Sequence, residues 1–341
     1  MKVAMYYHQQ DIRIEEMPIP EMGKDEVLVE MKACGICGSD LMDWYIKSRV
    51  PLVLGHEPAG MIAKKGSRVK GFGVGDRVFV HHHVACLTCH YCMHGDYTLC
   101  EQFHRTNIEP GGLAEYFRVP APNLQIDTLR IPETLLFEEA TLIEPVGCCI
   151  RAFRKSGIQP GDSVAIIGAG TTGIILAALS KIFGAAKTIV SDLIAYRLRV
   201  AEKFGADATV NPENEDLAGV VKAETNGIGA DVVIVTAPSI EAYKAGLSVC
   251  RKGGKLCVFA PTQPGKHLQI SPKELFFSEI QIVPSYSTSH LETRMALELI
   301  KSGRIRIKEL ITHRFGLVDS AEAFETALES KESLKVMVLS A

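Results

Sequence analysis

The stretch Ser163 to Asp192, SVAIIGAGTTGIILAALSKIFGAAKTIVSD, decides how the chain is organised. An apolar run, Val164 to Ile167, enters a turn with glycines at 168, 170 and 173. An apolar, Ala-rich segment of helical character follows, and a second short apolar run, Thr188 to Val190, ends on Asp192. This order predicts a strand, a tight turn, a helix and a parallel strand. Its physical reading is a dinucleotide site: Gly168 permits the turn, Gly170 lets backbone approach a pyrophosphate, and Gly173 lets the helix lie close on the sheet. The helix N-terminus, at Thr171 and Thr172, would face the anion with free N–H groups and the positive end of its dipole. Asp192 can accept from both ribose hydroxyls while opposing a 2′-phosphate. One charge pair at about 4 Å is worth roughly 4 kcal/mol at an effective dielectric near 20, before screening. NAD is therefore expected over NADP, with Arg197 either softening that repulsion or lying along the adenine edge.

At 341 residues the chain has room for two domains, each with its own core. A net charge of −3 without a basic block excludes a nucleic-acid or anionic-membrane footprint. No apolar stretch reaches membrane-spanning length, and MKVAMYYHQQDIRIEE reads as a strand with charge close behind it, not as a signal peptide. A cytoplasmic protein is the expectation. Six of the ten cysteines fall in the first 100 residues, which suggests metal ligation more than a disulfide framework. Cys148, Cys149, Cys250 and Cys257 sit in apolar runs and read as small buried hydrophobes.

From Met1 to about Arg118 short apolar or alternating runs are separated by Gly and Pro, the pattern of a β-rich, barrel-like domain. Within it Cys86, Cys89, Cys92 and Cys100 are spaced C-x2-C-x2-C-x7-C. Four thiolates so placed can close a tetrahedron around zinc, and with all four positions filled the ion is structural. Two further clusters are ambiguous taken alone. Cys34-Gly-Ile-Cys37-Gly-Ser39-Asp40 sets a thiol beside a hydroxyl and a carboxylate, and Gly55-His56-Glu57 sets imidazole beside another carboxylate.

Together these motifs resemble the zinc-containing alcohol dehydrogenases of the medium-chain dehydrogenase/reductase superfamily. The pattern G-H-E-x-x-G-x5-G-x2-V appears as Gly55, His56, Glu57, Gly60, Gly66 and Val69, and the four-cysteine spacing is the family's. CGICGSD and Glu144-Pro145-Val146 resemble the sorbitol/polyol and threonine dehydrogenase branch. The resemblance runs the length of the chain. It implies a GroES-like, β-rich catalytic domain from residues 1–150 and 286–341, around an inserted doubly wound parallel (Rossmann) NAD-binding domain, 151–285.

The resemblance also implies a catalytic zinc held by Cys37, His56 and Glu144, with Glu57 as an adjacent or exchanging ligand, hence two zinc ions per chain. A catalytic zinc needs about three protein ligands and one open position, which agrees. For Glu144 the residues alone leave open a plain helix N-terminal acid before Pro145. Asp40 would fix the imidazole of His56. Ser39 would accept the substrate's proton, but the family commonly carries His three residues later, where this chain has Met42. His82 and His83 resemble family residues lining the substrate pocket, although His81 to His83 also read as a solvated or partly packed strand end. Trp44 is a weaker pocket candidate.

Beyond Gly157 strands and helices alternate, as a parallel sheet buried on both faces requires. Ala237-Pro238 and Ala260-Pro261 end two of its strands and are candidates for the nicotinamide ribose, or plain turns. After Pro284 the rhythm stops. Helices over Leu291 to Lys301 and Ala321 to Ser330 and a final strand, Val336 to Leu339, are expected to return to the first domain. The expected activity is hydride transfer between a secondary alcohol, a polyol or sugar alcohol, and NAD. L-Threonine 3-dehydrogenase and simple alcohol dehydrogenase are the enzymatic alternatives. A non-catalytic nucleotide-binding relative is the other class, against which stand Cys37, His56 and Glu144, all present. A homodimer or homotetramer is implied by the resemblance alone.

Overall fold

The computed structural model describes residues 1–329 and 331–340. The chain divides into two compact units, Met1–Gly147 with Thr288–Ala341, and Cys148–Ser287. The first division falls inside the helix Ile143–Ser156, a few residues before position 150, so Glu144 belongs to the first unit.

The second unit is built on a six-stranded sheet. In spatial order its strands are Ala208–Val210, Lys187–Ser191, Ser163–Ile167, Ala230–Val235, Cys250–Val258 and Gln281–Pro284. Every pairing is parallel, and numbering the strands along the chain gives 3-2-1-4-5-6, the doubly wound order. Ser163–Ile167 is buried at all five positions because helices cover both faces, which is why it reads as a continuous apolar run rather than an alternating one. The helix Pro272–Ser278, ahead of the last strand, has no strong pattern in the sequence. None of its residues is buried.

The three glycines of the turn do different work. Gly168 has φ +110°, a conformation that disfavours side chains, and a Cβ there would lie 2.6 Å from Thr236 Oγ1. A Cβ on Gly173 would lie 1.9 Å from the carbonyl oxygen of Gly168. Around Gly170 a Cβ would meet nothing within 4 Å, so the backbone there is open to a ligand.

In the first unit a three-stranded antiparallel sheet (Asp11–Glu16, Lys2–His8, Leu52–Val53) accompanies a seven-stranded sheet. The path of the latter runs Ile311–Gly316, Lys335–Leu339, Val27–Gly35, Glu57–Lys65, Arg77–Val80 and Thr128–Arg130, with Tyr116–Val119 also paired to Val27–Gly35. The C-terminal segment thus supplies two strands to the N-terminal core. Its inner strand pairs Met337 with Gly35 and Val338 with Cys34. The strand Ile311–Gly316 has no matching expectation in the sequence; only its first residue is buried, so no apolar alternation marks it. The helix Ser320–Glu329 stands where one is expected, and Ser330, its expected last residue, lies outside the described residues. Of the four remaining cysteines, Cys149 and Cys257 are buried, whereas Cys148 and Cys250 are only partly so. Among the described residues no helix is long and apolar enough to cross a membrane.

Gly173→Ala is expected to force the helix Thr171–Ile182 off the sheet, costing about 1–3 kcal/mol. Urea unfolding and dinucleotide titration would measure it. Gly170→Ala, which meets no protein atom, should leave stability within about 1 kcal/mol, the cost of restricting or freeing one glycine backbone, while weakening dinucleotide binding.

Candidate functional site

The site in the first unit is assembled by strand register. Glu57 stands opposite Gly35 across an antiparallel pair, so the residue before Glu57 and the turn after Gly35 emerge at the same sheet end. Cys37, His56 and Glu57 each offer a ligand atom there, and the three atoms lie within 4.8 Å of one another. The short 3-10 turn Gly38–Leu41 aims Asp40 back at them. Its Oδ1 lies 3.2 Å from His56 Nδ1, and its Oδ2 accepts from the Cys37 backbone N–H at 3.0 Å. One buried carboxylate therefore fixes both the thiol's backbone and the imidazole ring. Burial disfavours the charged His56, but the Asp40 and Cys37 charges outweigh it and hold its pKa well above the ordinary histidine value.

Glu144 is buried at the start of the helix Ile143–Ser156. It is not one of the three residues within 4.8 Å of each other, but its charge acts on both Glu57 and Lys335. Ser39 is half-buried in the turn beside Asp40. The His82 ring lies 5.0 Å from that of His56 and 4.0 Å from that of His83, tilted to both, and His83 Nδ1 pairs with the carbonyl oxygen of Thr106. Burial pushes His82 well below the ordinary pKa and His83 down to about 4, so both rings are neutral near pH 7. The strand-end reading of these histidines does not hold for His81, which is fully buried with Nδ1 2.9 Å from Asp127 Oδ2. Trp44 is half-buried with its ring 6.0 Å from that of Tyr45.

Two elements are not legible from the motifs. Lys335 is buried, donates to the Ile36 carbonyl oxygen at 3.0 Å and forms an ion pair with Glu57 Oε2. Gly35 makes room for it: a Cβ there would fall 2.1 Å from Glu57 Oε2 and 2.6 Å from Lys335 Cε. The only sequence signal is a lysine heading the apolar run VMVL. The second is Asp127, which besides His81 accepts from Thr293 Oγ1 at 2.8 Å and so ties the helix His290–Lys301 to the strand end bearing the histidines.

In the cysteine lobe the ligand atoms of Cys86, Cys89, Cys92 and Cys100 all lie within 4.8 Å of one another. Sγ of Cys92 is 4.0 Å from that of Cys86 and 3.5 Å from that of Cys89. A tetrahedron with zinc–sulfur bonds of about 2.3 Å has edges of about 3.8 Å. In the second unit Asp192 Oδ2 accepts from Ala169 N–H at 2.6 Å and Oδ1 from Ile194 N–H at 2.8 Å, with Arg197 Nη1 3.8 Å away. Ala237 and Ala260 stand just past the carboxyl ends of Ala230–Val235 and Cys250–Val258.

Residues 23–133 match the family described as Alcohol dehydrogenase GroES-like domain, and residues 171–302 match Zinc-binding dehydrogenase. A sorbitol dehydrogenase of Bacillus subtilis (strain 168) is 37% identical, covering 99% of this chain and 97% of its own. The chain belongs to the zinc-binding dehydrogenases. A D-xylulose reductase A of Aspergillus niger is 31% identical over 94% of this chain and 91% of its own. A structure from Sinorhizobium meliloti 1021 with NADP bound superposes with a TM-score of 0.87 at 30% identity, covering 99% and 98% of the two chains. As a zinc-binding dehydrogenase of GroES-like and Rossmann architecture, the protein is an oxidoreductase acting on alcohols, with zinc and NAD(P) as the family's cofactors.

The residues fit those cofactors. Thiolate, imidazole and carboxylate are the donor types that zinc takes. Glu57 Oε1 is buried without a hydrogen-bond partner, as a carboxylate beside a cation site would be. The four lobe sulfurs have near-tetrahedral spacing, and the open backbone at Gly170 is where a pyrophosphate would approach.

Lys335→Met should cost about 3–5 kcal/mol by stranding a buried carboxylate, and Lys335→Met with Glu57→Gln should recover much of that; urea unfolding of both variants checks it. Cys89→Ala should lower zinc content by one ion per chain and reduce Tm, read by elemental analysis and calorimetry.

Proposed function

We propose that this dehydrogenase transfers a hydride between a secondary alcohol, specifically a polyol or sugar alcohol, and NAD. The observation that carries the reading is the convergence of Cys37, His56 and Glu57 on one point, with Asp40 locked behind them. Zinc held by Cys37, His56 and Glu144 would supply the Lewis acidity that lets a hydroxyl proton leave near neutral pH, and the nicotinamide would accept the hydride. Lys335 balances Glu57, so that Cys37 and Glu144 match the ion's formal charge and leave a site suited to a neutral substrate.

Asp40 keeps the proton of His56 on Nδ1 and leaves Nε2 for the metal. Ser39 takes the substrate's proton and passes it outward, where Met42 offers no further relay. His82 and His83 are neutral, and His83, whose Nδ1–H is given to the Thr106 carbonyl, keeps Nε2 to accept from a hydroxyl, which matches a polyol better than a cationic or anionic group would. In the second unit Gly168, Gly170, Thr171, Thr172 and Gly173 would hold the pyrophosphate, and Asp192 with Arg197 would receive the adenosine ribose. Ala237 and Ala260, just past two strand ends, would meet the nicotinamide end. Support for NAD over NADP comes from the fixed carboxylate of Asp192.

We further propose a cytoplasmic homodimer or homotetramer. In support, Phe276 and Phe277 are 76% and 70% exposed just ahead of the edge strand Gln281–Pro284.

NADH formation measured over polyols, inositols, simple secondary alcohols and threonine tests the substrate class; best turnover on threonine or on a simple alcohol would overturn it. Cys37→Ser should abolish turnover while circular dichroism and Tm stay near the parent's. Asp192→Gly should narrow the NAD-over-NADP ratio of kcat/KM by on the order of tenfold, a screened charge pair's worth.

A further inference from the structure

His90 and His94 belong to neither ligand set. They stand on the short helix His90–Met93 of the cysteine lobe, His94 being the residue that ends it. Four residues apart, they share one face of the turn. Both are exposed, yet their ring centroids are only 4.4 Å apart.

The orientation of His94 is set by a specific contact, its Nδ1 lying 2.8 Å from the carbonyl oxygen of His90. A carbonyl can only accept, so the proton sits on Nδ1 and the lone pair is left on Nε2. Binding one ring nitrogen to a carbonyl is also how metal-binding imidazoles are commonly oriented. The backbone beneath is held as well. Met93 N–H donates to the Cys89 carbonyl at 3.0 Å and Gly95 N–H to that of Cys92 at 3.0 Å, so the pair rides on a turn anchored by two lobe cysteines.

We propose that His90 and His94 form a surface chelate for one divalent transition-metal ion, separate from the lobe's four-cysteine site and from the catalytic centre. The i, i+4 spacing is the one by which helical histidine pairs hold zinc. With two nitrogen donors from the protein and water filling the remaining positions, affinity follows the divalent series, copper above nickel and zinc. Oxygen-seeking magnesium and calcium are poor matches. The inference does not depend on which alcohol the enzyme oxidises.

The test uses the zinc-loaded enzyme, titrated calorimetrically with CuCl2 and then NiCl2, with electron paramagnetic resonance of the copper form. The expected result is one further ion per chain, copper tighter than nickel, with a spectrum showing two nitrogen ligands. His90→Asn and His94→Asn should each weaken copper binding about a hundredfold, since the second ligand acts intramolecularly, and leave dehydrogenase turnover unchanged. Three results would overturn it: no saturable further ion, copper affinity and spectrum unchanged when His90→Asn and His94→Asn are combined in one variant, or copper uptake matched by equimolar release of zinc.

Discussion

The register of one strand governs the catalytic half of this molecule. Val27–Gly35 pairs on one side with Glu57–Lys65 and on the other with Lys335–Leu339, and Gly35 faces Glu57 in the first pairing and Met337 in the second. Three segments separated by up to about 300 positions in the chain are thereby fixed at a common sheet end. Shifting either pairing by one residue would send every side chain to the opposite face. Cys37 would then leave His56, and Lys335 would leave Glu57.

At that point the sheet accepts an expensive arrangement. Burying a carboxylate and an ammonium together costs several kcal/mol per ion in lost hydration, offset only if both are well partnered. Lys335 has a carbonyl and a carboxylate, while Glu57 has Lys335 on one oxygen and none on the other. A hydrophobic pair often folds as well, so the ionic pair is better understood through what it would do to the neighbouring candidate metal site. It lets an acid stand beside Cys37 and His56 without adding net negative charge. The absent side chain at Gly35 is what makes the volume available.

The nucleotide half relies on a steric constraint instead. The helix Thr171–Ile182 approaches its sheet so closely that a single methyl group at Gly173 would overlap a carbonyl, and the same closeness places the helix N-terminus over the strand's carboxyl end. Asp192, two backbone N–H groups on its oxygens, is held rigidly at the end of the neighbouring strand. On the proposed reading, a carboxylate so fixed would meet a ribose with little reorganisation.

The residues alone determined much of this. Alternation of apolar runs with glycines at 168, 170 and 173 specifies the parallel sheet, because that periodicity and those backbone freedoms have few other uses. The C-x2-C-x2-C-x7-C spacing marks a candidate metal lobe, because its four thiols are close enough in sequence to meet whatever the rest of the chain does. Local geometry carries both. Tertiary structure decided the rest: that Lys335 neutralises Glu57, that His81 is a core residue tied through Asp127 to Thr293, and that Ile311–Gly316 is a strand. Each depends on a partner brought from far along the chain by sheet register, and a half-exposed edge strand or a lone lysine carries no periodic mark from which that partner could be read.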